Sequence, residues 1–129
     1  MFVTMVAGVF DTANGEVVFA NAGHQPPLHR SVTGVYRELE ESSPPLGIMS
    51  GIDYAAQRLL LDGGRLYLFT DGVTEGRAED GSMLALCGLQ ALLDQHAGLP
   101  PADQLARVAE ALVRPGVRLH DDLTLLVIG

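Results

Sequence analysis

The dipeptide Asn14-Gly15 constrains this chain more than any other feature. Asn-Gly readily adopts the positive-φ backbone of a tight reversal, so it predicts a hairpin wherever strand-forming runs flank it. Residues 2–10, rich in valine and aromatics, and residues 16–20, Glu-Val-Val-Phe-Ala, are such runs. The segment that follows, Asn21-Ala-Gly-His-Gln-Pro-Pro27, cannot continue the ladder, because two prolines and a glycine lie within it.

The remaining pattern is read in the same way. Residues 28–30 and 35–39 form a short hairpin turning at Thr33-Gly34, and 54–61 with 65–70 form another around Asp62-Gly63-Gly64. Asp71-Gly72 breaks the last of these strands. Helices are expected over 82–96, with Leu86, Leu89 and Leu93 on one face, and over 102–113, with Leu105, Val108, Ala109 and Leu112. Residues 123–128 are almost continuously apolar and predict a strand buried on both faces. Strands first and helices later give an α+β fold with antiparallel sheets.

Composition excludes several classes. With 129 residues and 47% hydrophobic content, the chain has one domain's worth of core. No apolar run approaches the eighteen or so residues of a membrane span, and the start lacks a basic signal-peptide region. The net charge is −8, and the eight basic residues, all arginine, are scattered; nucleic acid is therefore not an expected partner. The single cysteine, Cys87, suits a reducing cytoplasm and, within an apolar helix, is expected in the core.

The chemistry lies in carboxylates. Asp71 ends one apolar strand and Asp121 begins another. If those strands are antiparallel neighbours, the two carboxylates meet at one sheet end, an arrangement that favours a hard cation such as Mg²⁺ or Mn²⁺. Taken singly, each residue has a plainer reading. Asp71-Gly72 also fits a simple turn, and Asp121 or Asp122 a solvated strand flank. His24 also fits a hydrogen-bonded loop residue, and Glu75 and Glu40-Glu41 fit exposed acids.

Four segments in order resemble the C-terminal part of the metal-dependent PPM-type serine/threonine phosphatases, in their bacterial SpoIIE branch. They are Phe2-Val3-Thr4 with the following strand, Asn21-Ala-Gly-His24-Gln-Pro26, Leu68-Phe-Thr-Asp71-Gly72-Val-Thr-Glu75, and Asp121-Asp122-Leu-Thr-Leu-Leu-Val127; Pro45-Leu-Gly47 fits a loop between them. The resemblance implies an antiparallel β-sandwich flanked by helices, with residues 1–129 as the C-terminal portion of one such domain. It implies two Mg²⁺ or Mn²⁺ ions and a metal-activated water that attacks phosphoserine or phosphothreonine. By motif position it makes Asp71 and Asp121 metal ligands, Asp122 a neighbour of the ligands, Gly72 a tight-turn residue, and Asn21 and His24 motif residues with no assigned step.

The family's upstream glycine-rich segment, whose aspartate bridges both metals, has no match here, so the domain is expected to be incomplete at its N-terminal side. Two functions follow from this. One is a protein phosphatase acting on a phosphorylated bacterial regulator, of which an anti-sigma-factor antagonist is the type the resemblance suggests. The other is a non-catalytic binding module that keeps the fold. An uncovered apolar face on an incomplete domain would also drive self-association.

Overall fold

The computed structural model describes all residues except Glu41, Glu79 and 114–121. Its elements are β1 (Met5–Asp11), β2 (Glu16–Ala22), β3 (Leu28–Arg30), β4 (Tyr36–Glu38), β5 (Gln57–Leu60), β6 (Arg65–Phe69), α1 (Asp71–Thr74), α2 (Ala85–Gln95), α3 (Pro101–Leu112) and β7 (Leu125–Ile128). They fall into two compact units, one of residues 1–66 with Gly129 and one of residues 67–128. The α+β class and the antiparallel pairing are as expected from the sequence.

In the first unit, β1 and β2 form the Asn14-Gly15 hairpin, in register from Met5 opposite Ala22 to Asp11 opposite Glu16. The turn is closed by Gly15 N–H donating to the Asp11 carbonyl at 2.8 Å and Glu16 N–H donating to Asn14 Oδ1 at 2.9 Å. β2 alternates as a half-buried strand should, with Val17, Phe19 and Asn21 inward. β5 pairs antiparallel with β2, setting Leu59 opposite Val17. The expected hairpin of 54–61 with 65–70 therefore does not form: β5 pairs with β2, and β6 has β7 as a neighbour. Leu61 N–H extends the β5–β2 ladder by donating to the Gly15 carbonyl at 2.9 Å, and the chain then turns sharply, with Gly64 N–H donating to the Leu61 carbonyl at 2.7 Å. β3 and β4 pair as read, from Leu28 opposite Glu38 to Arg30 opposite Tyr36.

In the second unit the helices begin and end close to their expected bounds, but the inward face of α3 differs. Gln104, Val108 and Leu112 are buried, whereas Leu105 is half-buried and Ala109 exposed. A leucine-based reading could not anticipate an inward glutamine. Its burial is tolerated because both ends of the amide are used: Tyr67 O–H donates to Gln104 Oε1 at 2.9 Å, and Gln104 Nε2 donates to the Leu93 carbonyl at 2.9 Å. One side chain thus ties the strand before Asp71 to both helices. Cys87 is exposed, not core, because the buried face of α2 runs through Leu89 and Leu93. β7 is shorter than expected and is not buried on both faces. Among the described residues it is an edge strand, and Leu126 is 52% exposed. Among the described residues no helix is long and apolar enough to cross a membrane.

Candidate functional site

The point of interest in the second unit is where β6 ends. Thr70 is extended, at φ −93° and ψ 163°, and acts as N-cap to the single-turn helix α1, which begins at Asp71. The sequence reading of Asp71-Gly72 as a bare turn is corrected here. An aspartate in the first turn of a helix is electrostatically favourable, and the turn closes through Glu75 N–H to the Asp71 carbonyl at 2.8 Å. Gly72 and Val73 are buried beneath it, and Gly72 has helical backbone rather than the left-handed geometry of a tight turn. Asp71 and Glu75 are exposed.

An N-cap threonine normally turns its hydroxyl onto the helix it caps. Thr70 does not. Its Oγ1 accepts from Thr124 N–H at 3.0 Å and donates to the Asp122 carbonyl at 3.2 Å, while its own N–H donates to the Thr124 carbonyl at 3.1 Å. At the opposite end, Gly129 lies against Gly64 and Arg65. β6 and β7 therefore run antiparallel, and the C-terminal end of one meets the N-terminal end of the other. The structure brings the residue before Asp71 against Asp122, which is exposed. Asp121 itself lies outside the described residues. Thr70 is the site residue that sequence reasoning missed; its position directly before the aspartate at a strand end was the available signal.

Asn21 and His24 belong to the first unit, and they bind each other. His24 N–H donates to Asn21 Oδ1 at 2.8 Å, and Asn21 Nδ2 donates to the His24 carbonyl at 3.0 Å. The His24 ring turns to the neighbouring backbone, with Nδ1 3.0 Å from the Gln25 carbonyl. Asn21 is buried, and its carbonyl accepts from Ser43 N–H at 2.8 Å. Gly23, at φ +69°, packs so closely on Pro45 that a Cβ would stand 2.4 Å from the proline ring. Here only glycine fits, on both counts. These motif residues build the loop, and the motif's Pro45-Leu46-Gly47 segment braces it.

The second unit also has a cleft of about 420 Å³ lined by Arg77, Leu84, Gly88, Leu92, His96 and Ala111, among others. None of the described residues that line it is a carboxylate. Among the described residues no three His, Cys, Asp or Glu side chains come together as a metal-holding group. Asp71 and Asp122 alone are too few for a cation that prefers six or more oxygens.

The family described as Stage II sporulation protein E (SpoIIE) matches residues 1–129. The chain belongs to the SpoIIE family of PPM-type phosphatase domains. It is 32% identical over 131 residues to the phosphoserine phosphatase RsbU of Bacillus subtilis (strain 168), an alignment covering 99% of this chain and 39% of RsbU. Among solved structures, it resembles the RsbU and RsbW domains of Rv1364c from Mycobacterium tuberculosis, with 29% identity and a TM-score of 0.66, over 96% of this chain and 35% of that one. It also resembles the PP2C phosphatase domain with a fragment of the regulatory domain of SpoIIE from Bacillus subtilis, with 21% identity and a TM-score of 0.73, over 96% of this chain and 36% of that one. The last of these shows the fold, which is that of PP2C domains. The chain spans well under half the length of each of the three.

Proposed function

We propose that residues 1–129 are the C-terminal portion of a PPM phosphatase domain that hydrolyses phosphoserine or phosphothreonine on a phosphorylated bacterial regulatory protein in the cytoplasm, an anti-sigma-factor antagonist being the type of substrate favoured. Asp71 and Asp121 are the carboxylates assigned to the site, with Asp122 and Gly72 as their neighbours. The observation that carries the reading is the Thr70 link, which holds the residue before Asp71 against the residue after Asp121. Similarity to RsbU supports the substrate class.

PPM-family phosphatases are metal-dependent, and Mg²⁺ or Mn²⁺ supplies charge against the phosphoryl oxygens when bound. The described residues do not by themselves complete a donor set for such an ion, so no step is routed through one. The role assigned to this chain's residues is to anchor: Thr70 and the Tyr67–Gln104–Leu93 bonds fix the strand end that presents Asp71. The second reading is a non-catalytic module with the same fold, which the lack of a match to the family's metal-bridging upstream segment favours.

Mutation and metal titration separate the two. In an intact family domain carrying these residues, Asp71→Asn should lower Mn²⁺-dependent kcat/KM on a phosphopeptide by on the order of a hundredfold or more, because an amide cannot supply the carboxylate charge. Residues 1–129 alone should bind Mn²⁺ only weakly, in the roughly millimolar range of sites with few ligands, and turn over negligibly. Unchanged turnover in Asp71→Asn would remove Asp71 from the site.

A further inference from the structure

The cleft of about 420 Å³ in the second unit has no part in the phosphatase reading, and its described lining comes from residues 77–111 alone. One wall is α2. Leu84, Gly88, Ala91 and Leu92 recur at the spacing of one helical face, beside the face that buries Leu89 and Leu93. α3 contributes Ala111. Gly88 keeps the α2 wall low, since a Cβ there would stand 2.8 Å from Leu84 Cδ1, although glycine weakens a helix interior. The polar groups lie toward the two ends. Leu84 N–H donates to the Gly76 carbonyl at 2.7 Å and Arg77 forms a β-bridge with Met83, so Arg77 stands at the start of α2. Gln95 and His96 line the cleft where α2 finishes, about 18 Å from Leu84 at 1.5 Å per helical residue.

We propose that this cleft binds a small amphipathic anion, a monocarboxylate with an elongated apolar body, its head on the Arg77 guanidinium and its chain along α2. Size, walls and charge each select this class. The volume falls within the roughly 300–1,000 Å³ of small-molecule sites, which are mostly apolar with a few placed polar groups. An apolar body removes the half-buried Leu92 and Ala111 from water. Arg77 is the only residue of fixed positive charge among the described lining residues, and none of them is acidic, in a chain whose net charge is −8. A guanidinium meets a carboxylate through two parallel hydrogen bonds, which a neutral alcohol cannot accept in that form. One cation also matches one negative charge. A polyphosphate would leave charge unpaired against apolar walls, where that is costly.

Titration of octanoate, with octan-1-ol as its neutral counterpart, tests this by backbone amide NMR on the intact domain carrying these residues and on residues 1–129. The expected result in both is a saturable set of shifts confined to residues 77–78, α2 and the end of α3, at roughly millimolar octanoate or below. Octan-1-ol should bind about tenfold more weakly. Arg77→Gln should weaken octanoate by about tenfold and leave octan-1-ol unchanged. Ala91→Trp, at an exposed position on the wall, should block both ligands. Arg107→Gln, exposed on α3 and outside the cleft, should alter neither. Absence of saturable binding overturns the proposal, as does equal affinity for the two ligands. Octanoate binding undiminished by Arg77→Gln or Ala91→Trp, or weakened as much by Arg107→Gln, overturns it as well. So does binding to residues 1–129 that disappears in the intact domain, because the cleft is then filled by the rest of that domain.

Discussion

β1 and β6 are both largely apolar strands, yet one is exposed along nearly its whole length and the other is not. β6 buries Leu66, Tyr67 and Phe69, while β1 buries none of its residues. The difference lies in what each strand is given to pair and pack with. In the second unit the end of β6 is fastened by Gln104 to two helices and by Thr70 to the approach of β7. Among the described residues β1 has β2 on one side only. Apolar sequence makes a strand; burial depends on the neighbours that tertiary structure supplies.

That contrast can be broken most directly by truncation. Leu66→Ala should destabilise the protein by about 2–5 kcal/mol, the cost of a cavity at a fully packed leucine, whereas Val9→Ala should stay within about 0.5 kcal/mol. Thermal or urea unfolding reads both, and equal losses would mean that β1 is covered after all. Thr70→Val keeps the shape and removes the hydroxyl, so it should cost about 1 kcal/mol and speed exchange of the Thr124 amide; Thr70→Ser should restore protection. A Thr124 amide that exchanges no faster in Thr70→Val would show that the link to β7 does not depend on the hydroxyl.

The smallest effect concerns His29 on β3, whose Nε2 is buried with no hydrogen-bond partner. Burial pushes its pKa below the usual histidine range and the Arg37 charge adds to this, against an opposing bond to the Leu61 backbone. The folded chain then binds fewer protons than the unfolded one. The stabilisation is fully present above about pH 6.5, the unfolded value, and is lost as pH falls toward the lowered folded value. Unfolding midpoints across this range should show the slope, and His29→Gln should flatten it. A slope unchanged by that substitution would assign it to another group.

Much of the fold was legible because it is local. Asn14-Gly15, Thr33-Gly34 and the proline punctuation before α3 each act within a few residues, and the hairpins and helices they predict are present. What was not legible depends on distant partners. Nothing near residues 61–65 says that β5 will pair with β2, since that choice is made by a strand some forty residues earlier. Gln104 reads as a surface residue until Tyr67 and Leu93 are placed beside it. The site was readable as motif positions, but not the hydroxyl of Thr70, whose partners lie more than fifty positions away.

The loop after β2 has a consequence of its own. Both ends of the Asn21 amide are engaged with His24, Gly23 N–H donates to Ser42 Oγ at 3.2 Å, and Gly23 is wedged on Pro45. Two prolines follow directly. A segment with no ladder of its own has thus lost most of its conformational entropy by the time the chain is folded. Whatever docks against it meets a shape that needs no further ordering, so association there forfeits little freedom and responds to fit more than to flexibility.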